Sequence, residues 1–434
     1  MKKQLLTLLV CLPLLTMAQG WNKTYEGASG ASIQQTTDGG YIVAGYIETS
    51  NGANDAFLIK LNAQGDSLWS QSYGGVNYDR VESVQQTTDG GYIMTGRTDG
   101  DLIFYSHFDL SLIKTDGNGN EIWSKEYGLI SPGINTSDYG QSVRQTTDGG
   151  YIVTGKTMLT GNGDLYLIKT DDQGDTVWTK TFGGVDINDV GHSVQQTLDG
   201  GYIVCGQIDE DSLGSADVYL LKTDGNGIEQ WSQNFGDSLV DIAYAVQQTT
   251  DGGYVLCGQY STGVVADFST WSPDLYVIKT DGNGLEQWSY TYGGAIGNIG
   301  RSIKQTPDGG YIVAGRTNSF GGNGWDLYLI KLNSAGVEQW YKTIDNSQYD
   351  YCYSIDLTID GGYVMCGFAV EGLLVVKTDG NGNITFNTVI PISTAKGRLQ
   401  KITNYLGQET KPIKNIPLLY QYENGTVEKK IIIE

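Results

Sequence analysis

The chain contains few of the residues that most often bind metals or act as nucleophiles. Histidine occurs twice and cysteine five times among 434 residues. Neither His107 nor His192 has a second histidine or a suitable cysteine nearby, so a zinc site or a Cys–His pair has no support. Cys205, Cys257 and Cys366 share one position of a repeat, described below, that other copies fill with alanine or threonine. That position suits a small buried side chain, and we expect neither a disulfide nor a metal site.

Positive charge is also scarce. The 27 Lys and Arg residues are outnumbered by 49 Asp and Glu residues, which makes the formal net charge −22. Such a surface repels nucleic acid, so a nucleic-acid partner is not expected. It suits a soluble protein, and it also suits cation binding, with calcium as the candidate ion. We expect no other cofactor.

Long apolar runs are confined to the first residues, MKKQLLTLLVCLPLLTMAQG. Two lysines, an apolar stretch and small residues before position 19 are typical of a secretory signal peptide, here residues 1–18. No later run approaches the length of a membrane span. We therefore expect an exported protein without a membrane span, either secreted or held on the outer cell surface.

A phrase such as QQTTDGGYIVAG recurs seven times. Its DGGY core, or a near copy, begins at Asp38, Asp89, Asp148, Asp199, Asp251, Asp308 and Asp360. A period of about 50 residues with four strand-like runs per copy is the signature of a propeller or a solenoid. Runs such as DLYLIKT are almost continuously apolar, which indicates strands that are buried on both faces. We predict an all-β chain: a seven-bladed β-propeller of four-stranded blades over residues 19–389 and a small C-terminal β-module over residues 390–434.

Two connections in each copy have a fixed length and two vary. DGGY and the TDGNG-like segments join consecutive strands as tight hairpins, and the Asp-Gly pair predicts turns whose two central residues have positive φ. The varying connections precede the first strand and follow the second. In a four-stranded meander they lie at the end opposite to the hairpins, so one face of the molecule should display all the variation. We call it the variable-loop face.

The two ends of the repeat predict how the ring closes. WNKTYEG, starting at Trp21, copies a fourth strand without the three strands before it, and the seventh copy has Phe386 where the others have tryptophan. We predict that the N-terminal strand completes the last blade, because a closed ring leaves no bare ends. The alternative keeps ITFNTV as the outer strand of blade seven and leaves Trp21 at the periphery.

Seven of the nine tryptophans occupy one position of the outer strand. A recurring aromatic residue there is expected to dock one blade on the next and to belong to the core. These residues are Trp21, Trp69, Trp123, Trp178, Trp231, Trp288 and Trp340. A glutamine that ends the first strand and an aspartate that opens the third also recur in six copies. Because a catalytic residue is needed only once, these positions should serve the shared geometry.

Aromatic residues that break the repeat form the candidate binding site. They fall in the loops between second and third strands of blades two, five and six, on the variable-loop face. The eight candidates are Trp271, Trp325, Phe268, Phe320, Phe104, Tyr105, His107 and Phe108. Exposed aromatic side chains on a variable face are typical of a carbohydrate- or protein-binding surface. The alternative is that they fold down over the blade edges.

No catalytic residues are singled out. DGNGNE at Asp116–Glu121 resembles the start of a calcium loop, but Glu121 stands where that loop needs glycine and Tyr127 where it needs glutamate, so a hairpin turn is favoured. Carboxylates are plentiful, and a glycosidase-type pair stays an open alternative. Nothing in the sequence identifies such a pair.

The repeat as a whole resembles that of a known group of proteins. Segments such as QQTTDGGYIVAG, DLYVIKTDGNG and WSYTYGG are similar to those of secreted propeller proteins of Bacteroidetes, some of them described as lectin-like or endoglucanase-like. The resemblance covers nearly all of residues 19–389 and is specific to the repeat. It implies a propeller fold and an exported protein, but no particular activity.

The end of the chain has a separate resemblance. Within residues 390–434, Leu406-Gly407-Gln408, the segment Leu418–Tyr422, the turn Asn424-Gly425 and the basic-apolar end KKIII are similar to the C-terminal sorting domain of type IX secretion substrates. The resemblance implies the type IX machinery as a partner of this segment and delivery to the cell surface, with or without cleavage of the tail.

These features together favour an exported, non-enzymatic propeller that binds an extracellular glycan or protein through its variable-loop face. Two alternatives stay open. One is a glycan-active enzyme, endoglucanase- or lyase-like, that uses carboxylates on that face. The other is a structural adhesin without a discrete ligand.

Overall fold

The computed structural model describes most of the predicted propeller and short parts of the C-terminal region. The described residues are 20–49, 53–75, 78–99, 108–128, 137–158, 163–183, 188–209, 215–237, 239–261, 272–322, 324–345, 347–384, 399–403, 410–411, 418–422 and 427–430. All regular elements among them are β-strands, which confirms the all-β prediction. Within these ranges no helix could cross a membrane.

Seven sheets of four antiparallel strands form a unit that spans Met1–Thr385. Blade one contains β2 (Ala28–Gln35), β3 (Tyr41–Glu48), β4 (Asn54–Leu61) and β5 (Ser67–Tyr73). Blade two contains β6 (Asp79–Gln86), β7 (Tyr92–Asp99), β8 (Phe108–Thr115) and β9 (Glu121–Tyr127). Blade three contains β10 (Asp138–Gln145), β11 (Tyr151–Thr157), β12 (Asp164–Thr170) and β13 (Thr176–Phe182). Blade four contains β14 (Val190–Gln196), β15 (Tyr202–Asp209), β16 (Ala216–Thr223) and β17 (Glu229–Phe235).

The remaining blades repeat this plan. Blade five contains β18 (Ile242–Gln248), β19 (Tyr254–Ser261), β20 (Pro273–Thr280) and β21 (Glu286–Tyr292). Blade six contains β22 (Asn298–Gln305), β23 (Tyr311–Thr317), β24 (Asp326–Leu332) and β25 (Glu338–Ile344). Blade seven contains β26 (Tyr351–Leu357), β27 (Tyr363–Ala369), β28 (Gly372–Thr378) and, as its outer strand, β1 (Trp21–Tyr25).

The N-terminal strand closes the ring as predicted. β1 pairs with β28 from Trp21 opposite Lys377 to Tyr25 opposite Leu373. Each inner strand contacts the inner strands of both neighbouring blades, and β2 of blade one contacts β26 of blade seven. β1 therefore occupies the edge of β28 that the alternative assigned to the segment around Phe386. That segment lies outside the described residues.

The DGGY hairpin forms, but its turn differs from the predicted one. Thr36 N donates to Gly40 O and Gly39 N donates to Thr36 O, both at 2.9 Å. Gly39 has a φ of 80°. These bonds define a three-residue loop in which the glycine after the turn takes the left-handed conformation. The predicted turn, with positive φ at both central residues, is therefore not the one that forms.

The aspartate of DGGY locks this turn onto the third strand. The Asp38 carboxylate accepts hydrogen bonds from the Thr36 hydroxyl at 2.6 Å and from Gly40 N at 2.9 Å. It also pairs at 2.9 Å with Lys60, whose side chain is only 5% exposed. Buried charges are tolerated only when they are paired. The same pair recurs as Lys114–Asp89, Lys169–Asp148, Lys222–Asp199, Lys279–Asp251, Lys331–Asp308 and Lys377–Asp360.

Repeated side chains also join the blades. Gln86 Oε1 accepts a hydrogen bond from Thr37 N of blade one at 2.9 Å, and Gln34 Oε1 accepts one from Gln86 N at 2.6 Å. The outer-strand tryptophans dock on the next blade, as Trp69 does on Tyr92 at 6.0 Å between ring centres. They are half-buried rather than core residues, so that part of the prediction was wrong. The outer strand is the exposed edge of each blade, so each indole packs against a core cluster but is not enclosed by it.

The second unit spans Phe386–Glu434. Its described strands are β29 (Leu399–Thr403), β30 (Leu418–Tyr422) and β31 (Val427–Lys430). They form one antiparallel sheet in the order β29-β30-β31. The segment Leu418–Tyr422, one of the pieces that resemble a sorting domain, forms β30.

Candidate functional site at the mouth of the central channel

Each inner strand carries a β-bulge near its start. In β2 the pairing with β3 shifts between Gly30 and Ser32, which leaves Ala31 without an opposite residue. The same shift occurs in the other six blades. Bulges re-aim one side chain and are frequent beside functional sites. The seven bulge residues are Ala31, Glu82, Gln141, His192, Tyr244, Arg301 and Tyr353.

The glycine that ends the YIVAG segment allows this bulge. A Cβ atom on Gly45 would lie 1.9 Å from the carbonyl oxygen of Ser29 on the inner strand. The corresponding glycine of every other blade meets the same obstruction at 1.7 to 1.9 Å. Any larger residue would push the inner strand away, so the glycine supports the geometry that presents the bulge residue.

All seven bulge residues line one cavity of about 450 Å³. It lies near the starts of the inner strands, at the end of the channel that belongs to the variable-loop face. The positions that build the blades repeat almost unchanged, whereas these seven equivalent positions hold six different residue types. The fold does not require these side chains, so their variety points to a binding role. We call this cavity the channel mouth.

Two arginines of the inner strands line the channel mouth and stack on aromatic rings. The Arg80 guanidinium lies 4.0 Å from the centre of the Tyr46 ring. The Arg301 guanidinium lies 3.9 Å from the Tyr244 ring and 6.0 Å from the Tyr353 ring. Stacking of this kind holds the plane of a guanidinium and leaves the donors at its edge available.

Two further arginines flank the channel mouth. Each directly follows the closing glycine of a second strand. Arg97 lies 4.9 Å from the Phe108 ring, and Arg316 lies 4.6 Å from both the Trp325 and the Tyr351 rings. Burial lowers the pKa of Arg97 and of Arg316, and in each case the neighbouring arginine of the same blade adds to the shift. Arg80 and Arg97 therefore repel each other, as do Arg301 and Arg316.

We call Arg80, Arg97, Arg301 and Arg316 the arginine cluster. The Nε atom of each is buried and has no hydrogen-bond partner among the described residues. The chain has six arginines, and these four together with Arg144 lie on first or second strands around the channel. A protein with a net charge of −22 thus concentrates positive charge at one place.

Glu82 and His192 are the acidic and the imidazole side chains that line the channel mouth beside the arginines. Burial raises the pKa of Glu82, and Arg80, Arg97 and Arg301 oppose that shift. Burial, and then the Arg301 charge, lower the pKa of His192 to about 4. The imidazole is therefore neutral at neutral pH, and Glu82 is the one carboxylate among the residues that line the cavity.

The other end of the channel is held by side chains that bond to the backbone and to one another. Gln34, Gln85, Gln195 and Gln247 each accept a hydrogen bond from a backbone N–H of the next blade. Arg144 Nη1 donates to Val143 O at 2.7 Å, and Lys304 lies 3.6 Å from Asp356. This end serves the ring, in contrast to the channel mouth.

The structure places the predicted aromatic residues in three groups. Phe108 and Trp325 stack under arginines of the cluster. Phe320 instead packs on Tyr341, with 4.9 Å between ring centres, and on Tyr328 in blade six. These contacts match the alternative in which a loop residue folds over the blade edge. Phe104, Tyr105, His107, Phe268 and Trp271 lie outside the described residues.

The sequence reasoning missed the arginines. His192 was considered only as a zinc ligand or as half of a Cys–His pair, and its repeat position, which it shares with Glu82 and Arg301, was not recognised as facing the channel. A usable signal exists, because five of only six arginines fall on first or second strands. Counting a scarce residue type by its repeat position would have located the site.

Acidic side chains gather where a third strand begins beside the next blade. Carboxylate oxygens of Asp326, Asp345 and Asp350 lie within 4.8 Å of one another. Burial raises the pKa of Asp326, and the charges of Asp345 and Asp350 add to the shift. Carboxylate oxygens are the ligands that calcium prefers. Calcium binding, expected from the acidic composition, stays a prediction.

The described strands and their closed ring define the chain as a seven-bladed β-propeller. No family model matches the sequence. The regulatory protein FlaEY of Caulobacter vibrioides is similar, with 26% identity over 278 residues. That match covers 54% of this chain and only 29% of the relative's length.

Several solved structures are similar in fold. Puromycin hydrolase superposes with a TM-score of 0.51 and 11% identity, over 92% of this chain and 59% of that chain. A chain of the COPII outer coat vertex on membranes superposes with a TM-score of 0.51 and 10% identity, over 94% and 99%. The Neurospora crassa Pan2 WD40 domain reaches a TM-score of 0.49 at 10% identity, over 84% and 91%. At such identities the likeness to the first two shows the fold alone.

Proposed function

We propose that the protein is a non-enzymatic binding protein that holds an acidic saccharide at the channel mouth. The observation that carries the proposal is the arginine cluster, whose four guanidiniums are held against aromatic rings. A guanidinium binds a carboxylate through two parallel hydrogen bonds. Because aromatic rings already hold these side chains in place, little ordering cost is left for the moment of binding.

The charge balance of the channel mouth favours an anion. Four arginines accompany a single carboxylate, Glu82, which interacts with three of them. An acidic ligand would supply the missing negative charge, especially beside Arg316, whose pKa is lowered by burial and by Arg301. The low dielectric of the cavity walls strengthens the attraction between the arginines and an anion. The acidic outer surface, in contrast, repels the same anion.

Neutral groups in the same cavity favour a saccharide. Gln141 and the neutral His192 line the wall, and both can exchange hydrogen bonds with hydroxyl groups. The rings of Tyr351 and Tyr353 add flat apolar surface. A cavity of about 450 Å³ is within the size range of small-ligand sites and would take the end of a short oligosaccharide.

Binding is better supported than hydrolysis. Glycoside hydrolysis by a carboxylate pair needs two carboxyl groups about 5–10 Å apart. Among the described residues that line the channel mouth, Glu82 is the single one with a carboxyl group. A structural adhesin without a ligand would have no use for four arginines gathered around one cavity.

The proposal predicts that Arg301→Gln weakens binding of an acidic saccharide by about 10- to 100-fold, since a hydrogen bond to a charged group contributes about 1.5–3 kcal/mol. Titration calorimetry with a uronic acid trimer, compared with the neutral hexose trimer, measures this. Lys180→Gln, which removes an exposed charge from an outer strand, is the matched control. Equal affinity for the two trimers, or equal effects of the two substitutions, would contradict the proposal.

A companion variant tests the charge argument. Glu82→Gln should tighten uronate binding at pH 7, because it removes the competing carboxylate. In the unchanged protein, affinity should rise as the pH falls toward the raised pKa of Glu82, and in Glu82→Gln that rise should disappear. If an acidic peptide binds while the uronate does not, the ligand class is wrong.

We also propose that the chain is exported and acts at the cell surface, with residues 390–434 read by the type IX secretion machinery of a Bacteroidetes-type cell. Support comes from the signal-like residues 1–18, which lie outside the described residues, and from the small antiparallel sheet of the C-terminal unit. Deletion of 390–434 should move the protein from the cell surface or medium to the periplasm, as measured by fractionation. An unchanged distribution would contradict this role for the tail.

A further inference from the structure

The third strands carry an aromatic residue at one position that faces the preceding blade. Phe57, Tyr166, Tyr219, Tyr276 and Tyr328 occupy it in five blades. Their rings fill the space between blades: Tyr166 packs with Ile93 and Tyr127 of blade two, and Tyr219 packs with Phe182 of blade three. Blade seven has Leu374 there, and blade two has Ser111.

A cavity of about 550 Å³ lies where the blade-two ring is missing. Its walls include Ser111 and Ile113 of β8 and Ala56 and Tyr73 of blade one. Tyr73 corresponds to Tyr127 and Phe182, which cover the aromatic ring at the other blade boundaries. The space therefore has the position and the walls of a tyrosine side chain that the described part of the chain does not supply. We call it the blade-one/two slot.

The far end of the slot offers a hydroxyl group. In blade three, burial raises the pKa of Tyr166 to about 12 while a hydrogen bond with the Thr179 side chain opposes the shift. Ser232 and Ser289 make the equivalent bond with Tyr219 and Tyr276. In blade two the equivalent residue is Ser124, which lies opposite Ile113 and lines the slot. An apolar slot that ends at a hydroxyl is complementary to a phenol ring.

The rim of the slot carries more acids than bases. Asp79, Asp99, Glu121 and Glu126 line it together with Arg97 and Lys125. Lys125 is already paired with Asp175 at 2.9 Å. A negative rim attracts basic groups and disfavours an ionised phenol.

We propose that the blade-one/two slot binds a tyrosine side chain of a partner polypeptide in which basic residues flank the tyrosine. The tyrosine ring takes the place that Tyr166, Tyr219 and Tyr276 fill within the chain, with its hydroxyl against Ser124. The basic neighbours meet the acidic rim. Burial of one aromatic side chain in such a pocket is the usual anchor of a peptide interaction.

The test uses the full chain and two blocked tripeptides, Lys-Tyr-Lys and Lys-Ala-Lys. Lys-Tyr-Lys should bind the unchanged protein and the Ser111→Ala variant, and Lys-Ala-Lys should bind at least about tenfold more weakly. Ser111→Tyr restores the residue of the other blades, so it should fill the slot and weaken Lys-Tyr-Lys binding at least about tenfold. Ser111→Leu, which introduces the residue that blade seven has as Leu374, should do the same and covers the case in which Ser111→Tyr does not fold.

Either of two results would overturn the proposal. One is equal binding of Lys-Tyr-Lys to the Ser111→Ala and Ser111→Leu variants. The other is equal binding of the two tripeptides to the unchanged protein. Ser111 does not line the channel mouth, so uronate affinity should stay the same in Ser111→Leu. Failure here is therefore distinguishable from failure of the proposed saccharide site.

Discussion

Each outer-strand tryptophan covers the hairpin turn of the next blade. Trp178 meets the Tyr202 ring at 5.9 Å between centres. A Cβ atom on Gly227 would lie 2.7 Å from the Trp178 ring, and Gly227 has a φ of 73°. Glycine is needed there both for the left-handed backbone and for the closeness of the indole. Tryptophan and glycine, distant in sequence, form a single contact in the ring.

The substitution Trp178→Ala should lower the free energy of unfolding by about 2–4 kcal/mol, somewhat less than for a fully buried aromatic residue because the ring is half-buried. Urea denaturation at constant pH measures the loss. Val177→Ala on the same strand is the control, since Val177 is 60% exposed and should cost little. Equal effects of the two substitutions, or a loss below about 1 kcal/mol for Trp178→Ala, would contradict the docking role.

The DGGY hairpin combines a turn with an ion pair that crosses to the third strand. Burial alone would raise the pKa of Asp38, but hydrogen bonds from Thr36, Lys60 and Gly40 outweigh it and lower the pKa to about 2. Asp89, Asp199 and Asp308 behave in the same way. When folding lowers the pKa of a carboxyl group, that group stabilises the native state at every pH above its pKa in the unfolded chain. The stabilisation is lost as the pH falls through the pKa of the folded state.

Stability should therefore fall as the pH is lowered from about 4, the unfolded aspartate pKa, toward 2. Melting temperature measured across this window checks the direction. The Asp38→Asn variant should have a lower melting temperature than the unchanged protein at pH 7, and the difference should narrow toward pH 2. The effect of a single pair is modest because the aspartates are 56–63% exposed in blades one to six. Asp172→Asn, at an exposed turn on the same face, is the control. If the difference in melting temperature between Asp38→Asn and the unchanged protein does not change with pH, Asp38 is not the group that titrates.

Closure of the ring depends on a strand contributed from the start of the chain. β1 pairs with β28, and its side chains also reach blade one: Trp21 Nε1 donates to Ala63 O at 3.1 Å, and the Tyr25 hydroxyl donates to Gly65 O at 2.5 Å. Blades seven and one are thus joined both by β1 and by contacts between their inner strands. Without β1, the hydrogen-bonding edge of β28 would be open to solvent or to another molecule.

Deletion of residues 20–25 should lower the melting temperature by more than any single outer-strand tryptophan substitution, because it removes a strand and a docking tryptophan together. The exposed edge of β28 should also promote self-association, which size-exclusion chromatography detects. Trp21→Ala alone separates the loss of docking from the loss of the strand. An unchanged melting temperature after the deletion would mean that the segment around Phe386 takes the place of β1.

Most of the scaffold could be predicted from the sequence because its rules repeat with a period of about 50 residues. The seven DGGY turns, the apolar third strands and the ring closure by Trp21 all follow from comparing copies. The turn type was missed, because the Asp-Gly pair occurs both in two-residue turns and in the three-residue loop that ends at Gly39. The extent of burial of the tryptophans was missed because a recurring position does not reveal which face of the side chain is covered.

The candidate site was predicted only in part. Phe108 and Trp325 were identified as aromatic residues of the variable-loop face, but their partners Arg97 and Arg316 were not, since no sequence rule joins an arginine after a closing glycine to a ring on a later strand. Ser111 is a second case in which the sequence reveals a residue but not its surroundings. Its departure from the repeat is visible in the sequence, whereas the cavity that results depends on Tyr73 of the neighbouring blade.

The repeated pattern alone is sufficient to specify the number of blades, the order of strands and the face that carries the variation, because hydrogen bonding and burial in each blade depend on local periodicity. Which side chains of different blades come together is decided by closure of the ring. Arg80 and Arg97 of blade two act on the same channel as Arg301 and Arg316 of blade six only because seven wedges close around one axis. The charge of the channel mouth and the blade-one/two slot arise between blades, and contacts between blades exist only in the folded ring.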